Sequence, residues 1–288
     1  TKNKILYYIC NPPWRKKRVK EGEYVDLALK EAMQTLSDMI KSKDIFNHLN
    51  LLLEGEQRYG LEVGYHLGLT VENLQVLLDT LLGEIKKINH GESNPKVIAG
   101  LLRHIKVTNK EMYDNSIEQI LKDKTLNGFL FDILLLQELD GDDINTIKKL
   151  IASNLVDQNQ IRLLSSKKVF DQLKPNQVLS LIEFAIKSND NFIYSAIDII
   201  SLYLTSVSVD TENLNDIYLF AQDILLKATL SGYLKRDSMS LYNRPVLIKE
   251  ILKSSSGISS TLLSFIIHDM MEFIHNPNHK QSLFSRQS

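Results

Sequence analysis

Apolar side chains recur at every third or fourth position along most of this chain, and short polar breaks separate the runs. In the stretch 23–42 they stand at Val25, Leu29, Ala32, Met33, Leu36 and Ile40. This spacing places them on one face of an α-helix. Only 12 glycines and 6 prolines interrupt the 288 residues, fewer than ordinary usage gives. The pattern therefore predicts about twelve or thirteen helices in succession.

The predicted helices form pairs that recur every 30 to 45 positions or so, which is the spacing of HEAT-like repeats. Helices joined by short breaks pack as antiparallel neighbours. The sequence thus predicts an all-α fold, a HEAT-like α-solenoid of antiparallel helix pairs, and a compact multi-helical domain is the alternative. We expect an N-terminal extended segment and basic linker at 1–22, a helical-repeat domain at 23–276 and a polar C-terminal tail at 277–288. Only 4–9 is compatible with a strand, and it fits the end of a helix equally well.

Polar residues at the breaks predict where individual helices begin. Thr70 and Thr108 each precede an apolar run and are expected to be N-caps. Asn94 followed by Pro95 predicts a cap with proline at the first helical position, and Pro175 predicts a second such start. Asp142 or Asp143 is expected to cap a helix at 144–153.

Charge and cysteine content limit the kinds of partner and the compartment. The 34 basic and 35 acidic residues give a formal net charge of −1, so no overall field favours nucleic acid or an anionic membrane. A single cysteine, Cys10, can form neither an internal disulfide nor a multi-cysteine metal site, which suggests the cytoplasm. No apolar run is long enough to span a bilayer. We expect no cofactor and no membrane partner.

The segment Asn11-Pro12-Pro13-Trp14 has the form in which amino-methylating DNA methyltransferases present a target base. That chemistry also needs a preceding strand and a glycine-rich turn for the methyl donor within an α/β sheet. The sequence contains no such turn downstream. The two prolines instead predict a rigid extended joint, with Trp14 as a packing anchor.

A run of cations follows this joint and is the best candidate for a contact surface. The expected binding residues are Trp14, Arg15, Lys16, Lys17 and Arg18. They could bind an acidic surface of another protein, or of another domain of a longer chain. Nucleic acid is the alternative ligand, through phosphate contacts, and a solvated linker is the interpretation without a ligand.

The seven residues Asn11–Lys17, in one-letter code NPPWRKK, resemble a segment of large bacterial HEAT-repeat proteins of the MolR-like type. The resemblance covers these residues alone and includes no catalytic position. It implies a bacterial, cytoplasmic helical-repeat protein. The succession of amphipathic helices itself predicts a non-enzymatic scaffold or protein-interaction module, part of a larger protein, with a nucleic-acid-binding helical-repeat protein as the alternative.

Two further patterns are prominent. Gly60, Gly64 and Gly68 lie four positions apart on one helical face. Because glycine weakens a helix, they predict close approach of another backbone, and a break in the helix is the alternative. His268, Glu272 and His275 share a face of a predicted C-terminal helix and are the candidate ligands for zinc or iron. The two histidines are about 10 Å apart along the axis, so a solvated helix face is the simpler interpretation.

Asp140-Gly141-Asp142-Asp143 resembles the start of a calcium loop. The twelfth position of such a loop carries a glutamate, but here it is Ile151. A turn with a helix cap is therefore expected.

Overall fold

A computed structural model describes residues 2–13, 15–20, 23–89, 91–166, 169, 172–206, 214–230, 238–253, 259–264 and 267. The chain forms two compact units, Thr1–Asp143 and Ile144–Ser288. Helices make up most of the described residues, and the strands among them form one two-stranded sheet. The prediction of a mainly helical protein is confirmed. Within the described ranges, no helix combines the length and apolar character needed to cross a membrane.

The first unit begins with a helical turn, Lys2–Lys4, that continues as a π-helix over Ile5–Cys10. Of the two alternatives for 4–9, strand or helix, the structure shows the helix. The unit continues with β1 (Lys16–Lys20), β2 (Glu23–Asp26), α1 (Leu27–Lys41), a 3-10 helix (Asp44–Leu52), α2 (Gly60–Thr70), α3 (Leu74–Ile85), α4 (Lys96–Thr108), α5 (Lys110–Lys122), α6 (Asn127–Leu135) and α7 (Gly141–Ala152), which contains the unit boundary.

The regular elements in the described part of the second unit are all helical. After α7 come α8 (Gln158–Arg162), a 3-10 turn (Leu163–Ser165), α9 (Pro175–Ser188), a second 3-10 turn (Asp190–Phe192), α10 (Ile193–Ser206), α11 (Asn215–Leu230) and α12 (Ser238–Lys253). Pro175 is at the start of α9, as predicted.

Several predicted helix starts are displaced, and the capping side chains explain the displacement. Thr70 and Thr108 are the last residues of α2 and α4, where each hydroxyl donates back to a carbonyl of its own helix. Asn73 and Asn109 are the caps that follow, and each accepts a backbone N–H of the next helix. The prediction that the two threonines are N-caps was wrong, because a threonine hydroxyl can equally bond to the carbonyl four residues earlier.

Two other starts differ by a few residues. The helix at 96–108 has Pro95 in the cap position, and the side chain of Asn94 accepts the N–H of Lys96. Helix α7 begins at Gly141, where the side chain of Asp140 accepts the N–H groups of Asp142 and Asp143. The cap is therefore Asp140, and the expected turn with a helix cap is present.

The glycine face predicted at Gly60, Gly64 and Gly68 packs against α4. A Cβ built on Gly64 would lie 1.9 Å from the carbonyl oxygen of Val97, and one on Gly68 would lie 2.7 Å from His104. Both spaces are too small for a Cβ, and at Gly64 the facing atoms are backbone, so the backbones of α2 and α4 are in direct contact there, while the side chain of His104 packs on Gly68. The prediction of close approach by another backbone is confirmed.

Helix α4 contributes a glycine of its own to this contact. A Cβ on Gly100 would lie 2.0 Å from the carbonyl oxygen of Leu61. Gly60 faces Lys96, and Gly68 faces His104, so facing residues stand 36 positions apart (96 minus 60, 104 minus 68). Because the order of facing residues increases along both helices, α2 and α4 run parallel, with α3 connecting them.

Hydrogen bonds between elements also join residues a few tens of positions apart. The separation is 30 positions for Tyr113 and Asp143 in the first unit. In the second unit it is 37 for Ser195 and Gln158, and 45 for the buried pair Asn243 and Asp198. Within each unit, the extensive helix contacts thus connect elements that are close in the chain.

Candidate interaction site

The predicted contact residues Lys16, Lys17 and Arg18 form most of strand β1, which pairs antiparallel with β2. Lys17 lies opposite Val25, and Arg18 lies opposite Tyr24. We call this pair of strands, together with Arg15, the basic hairpin. The helix predicted to begin at 23 therefore begins at Leu27, and residues 23–26 belong to the sheet instead.

Arg15 connects the basic hairpin to α1. Its carbonyl oxygen accepts the N–H of Leu27 at 2.9 Å. Its guanidinium lies 3.3 Å from the carboxylate of Glu31, and both side chains are about half exposed. Such an exposed pair contributes at most about 1 kcal/mol, so the backbone bond holds the base of the hairpin and the guanidinium can exchange partners.

Asp26 ends β2 and caps α1. One carboxylate oxygen accepts the N–H groups of Ala28 and Leu29, each at 3.1 Å, and the other accepts the hydroxyl of Tyr59 at 2.6 Å. Burial by itself raises the pKa of Asp26, but these hydrogen bonds and the charge of Lys16 outweigh burial and hold the pKa below its ordinary value. Burial and the bond to Asp26 raise the pKa of Tyr59 to about 12. Asp26 therefore stays ionised in its capping role at neutral pH.

The joint that precedes the basic hairpin is held by Arg58. Its guanidinium donates to the carbonyl of Pro12 at 2.6 Å, and its backbone N–H donates to the carbonyl of Cys10 at 3.0 Å. Burial raises the pKa of the Cys10 thiol to about 11, so this cysteine is protonated at neutral pH and is not a nucleophile. The helical residues before Asn11 also remove the strand that the methyltransferase interpretation requires.

Side chains on both faces of the basic hairpin are exposed. Opposite residues of an antiparallel pair share a face, so Lys17 and Val25 lie on one side, and Arg18 and Tyr24 on the other. The lysine and arginine are exposed, and so are Tyr24 at 60% and Val25 at 43%. The hairpin therefore presents a cation beside an apolar side chain on each face.

Tyr24 and Val25 belong to this surface, although the sequence analysis assigned them to a helix. The signal that identifies them is the spacing: two residues, Glu21 and Gly22, separate two runs of β-forming and charged residues. The helical spacing of Val25 and Leu29 concealed it. Trp14, the fifth predicted contact residue, lies outside the described residues.

The candidate metal ligands His268, Glu272 and His275 also lie outside the described residues. In the part of the chain that the structure describes, no three His, Cys, Asp or Glu side chains group closely enough to hold a metal ion.

The acidic loop after α6, which resembled the start of a calcium loop, faces lysines: Lys106 lies 3.0 Å from Asp140, and Lys110 lies 3.1 Å from it. Burial raises the pKa of Asp140, yet the N–H of Asp143 and the two lysines together hold it well below its ordinary value.

The chain matches no protein-family model, no curated protein and no solved structure at a significant level. The resemblance of Asn11–Lys17 to MolR-like proteins thus remains an observation on seven residues.

Proposed function

We propose that this chain is a non-enzymatic helical-repeat scaffold that uses the basic hairpin to contact another protein, or another domain of a longer bacterial protein. The observation that carries the proposal is the exposure of cationic and apolar side chains on both faces of that hairpin. A two-stranded hairpin alone is at best marginally stable in water. A partner that covers it would stabilise it.

The helix contacts support the HEAT-like part of the proposal. In repeat proteins, each repeat contacts only its neighbours, so contacts connect residues about one repeat apart. The parallel helices α2 and α4, with facing residues 36 positions apart, have the relation expected of equivalent helices in successive repeats. Within each unit, we therefore propose a run of HEAT-like helical pairs. The single cysteine is consistent with a cytoplasmic protein.

Nucleic-acid binding through the same segment is the second candidate function. The observation in its favour is Tyr24, which is 60% exposed and lies directly opposite Arg18. An aromatic side chain beside cations is the combination that binds single-stranded nucleic acid. Affinity that falls steeply with added salt would accompany this function.

Site-specific photo-crosslinking tests the proposal. The cross-linking amino acid p-benzoylphenylalanine replaces Tyr24 in the protein expressed in its native cells. The same amino acid replaces Val107, which is 77% exposed at the end of α4, as the matched control. We expect a discrete adduct from position 24 that protease destroys and nuclease leaves intact, and no such adduct from position 107.

Other outcomes count against the proposal. A nuclease-sensitive adduct at position 24 would support the nucleic-acid function instead. Absence of an adduct at position 24, or the same adducts from both positions, would refute a specific contact at the basic hairpin.

A further inference from the structure

The charges that surround the basic hairpin decide which chemical class of partner it suits. Residues 15–31 carry six basic and four acidic side chains. Because affinity for nucleic acid depends on the number of phosphates neutralised, this small local excess of positive charge favours binding of a few carboxylates over a phosphate backbone. A polypeptide is therefore the better fit.

The acidic side chains at the base of the hairpin, Asp26 and Glu31, differ in how strongly hydrogen bonds and ion pairs hold them. Asp26 is fixed by two backbone N–H groups and the hydroxyl of Tyr59. Among the described residues, Glu31 pairs with Arg15, and partner carboxylates can replace this exposed ion pair at little cost. The side chains of Lys17 and Lys20 are exposed to solvent. The hairpin thus has cations that accept new acidic partners without disrupting the helix cap.

The apolar side chains add a second requirement. Val25 lies beside Lys17 on one face, and Tyr24 lies beside Arg18 on the other. Apolar and cationic side chains therefore adjoin each other on both faces, and a ligand of carboxylates alone would leave the apolar groups exposed. A ligand that covers either face must offer a carboxylate and an apolar side chain on the same side of its chain, within about 7 Å of each other. Side chains two residues apart on an extended chain are about 6.5 to 7 Å apart, which matches this pattern.

We infer that the partner of the basic hairpin is an acidic, extended polypeptide segment in which carboxylates lie next to an apolar or aromatic side chain. The inference rests on the proposed function and specifies its ligand class. Binding of such a segment orders the hairpin, because a two-stranded sheet gains most of its stability from packing against other groups.

Fluorescence anisotropy with defined peptides tests the inference. The probe is a labelled 12-residue peptide of three Glu-Glu-Val-Tyr repeats, so that a carboxylate and an apolar side chain alternate along each face of the extended chain, and the comparison peptide has Gln in place of every Glu. At ~150 mM salt, we expect the acidic peptide to bind at least about tenfold more tightly than the Gln peptide. Hydrogen exchange of the segment 15–26 should slow in the presence of the acidic peptide.

Matched charge reversals locate the binding. The double variant Lys17→Glu/Lys20→Glu should weaken binding of the acidic peptide at least about tenfold. The control Lys124→Glu/Lys149→Glu changes the net charge equally at exposed lysines elsewhere and should alter binding by less than about twofold. Circular dichroism of both variants establishes that they are folded.

Three results would overturn the inference. These are equal binding of the acidic and Gln peptides, unchanged binding in the Lys17→Glu/Lys20→Glu variant, or tighter binding of a 20-nucleotide single-stranded DNA than of the acidic peptide. If the Tyr24 photo-adduct with a protein forms while the acidic peptide fails to bind, the ligand class is wrong and the proposed function stands. If the adduct is absent as well, both fall.

Discussion

Replacement of Gly64 by alanine tests the backbone contact between α2 and α4. The new Cβ would lie 1.9 Å from the carbonyl oxygen of Val97 and 2.8 Å from the backbone nitrogen of Leu101, whereas real Cβ atoms stay at least 3.0 Å from such atoms. The two helices must therefore separate by about 1.1 Å at this point, the difference between 3.0 and 1.9 Å. Neither atom can rotate away, because both belong to the backbone of α4.

The size of the effect follows from two opposing terms. Forcing extra volume into a packed interface costs about 1–3 kcal/mol and occasionally more, and we expect about 3–4 kcal/mol because backbone atoms are displaced. A gap of about 1 Å also removes a quarter to a half of each dispersion contact across the interface. The higher helix propensity of alanine offsets about 1 kcal/mol of this destabilisation. Gly64→Ala should therefore destabilise the first unit by about 2–3 kcal/mol.

Urea unfolding followed by circular dichroism measures the difference, and hydrogen exchange of peptides 60–70 and 96–108 locates it. Gly83→Ala is the matched control, because Gly83 is in helix α3 and a Cβ there has no atom within 4 Å. It should stabilise the protein by about 0.5–1 kcal/mol. If Gly64→Ala is as stable as Gly83→Ala, the two backbones are not in contact, and the close packing of α2 on α4 is refuted.

Three further predictions concern polar groups of the first unit. Asp26→Ala should lower the free energy of unfolding by about 1–3 kcal/mol, because it removes the helix cap and the hydrogen bond from the hydroxyl of Tyr59. A free energy of urea unfolding within about 0.5 kcal/mol of wild type would contradict this. Burial lowers the pKa of His66 below the 6.5 of an exposed histidine, so the unfolded chain binds the proton more readily. The stability linked to His66 is complete above pH 6.5 and is lost as the pH falls through the folded-state pKa. His66→Gln should therefore reduce the dependence of the free energy of unfolding on pH in this range. An unchanged dependence would refute the assignment of this stability to His66. Asp143→Ala leaves the buried hydroxyl of Tyr113 without its acceptor and should cost about 2–4 kcal/mol in thermal or urea unfolding, an effect that Asp143→Asn should reduce.

The helices and the glycine contact could be predicted from the sequence, because both depend on local spacing. Gly60, Gly64 and Gly68 share a face in any α-helix, and the cost of three glycines indicates a compensating contact. The contacting residue Gly100 could not be identified in the same way. A lone glycine in an apolar run has no periodic signal, and the sequence does not state which of several later helices returns to α2.

Helix ends were harder to predict because a polar side chain between two helices can either bond to the last turn of the first or cap the N-terminus of the second. Thr70 and Thr108 stand between apolar runs and fit either a cap or a final turn, and the structure places both in final turns. Asn73 and Asn109 could be distinguished as caps only by their distance from the next run. At such positions the local hydrogen bonds allow either an N-cap or a final helical turn, and the packing of the helices decides which one forms.

The candidate site was predicted in part. The sequence identifies Lys16, Lys17 and Arg18 as a cationic cluster, and the structure shows them as exposed residues of one strand. The two-residue break that pairs Tyr24 with this cluster was overlooked, since the helical period of the following residues extends back to Val25. A strand of four residues has too few alternations to outweigh that period.

Zero-length carbodiimide cross-linking within residues 1–143 is the most direct test of the helical-repeat proposal, because it joins only lysines and carboxylates that are in contact. A run of repeats predicts links between residues less than about 50 positions apart, such as Lys86 with Asp123, 37 positions apart, and the partly exposed pair Lys110 with Asp140, 30 positions apart. Reproducible links between lysines of residues 2–53 and carboxylates of residues 111–143 would contradict it, since they would require the two ends of this unit to pack together.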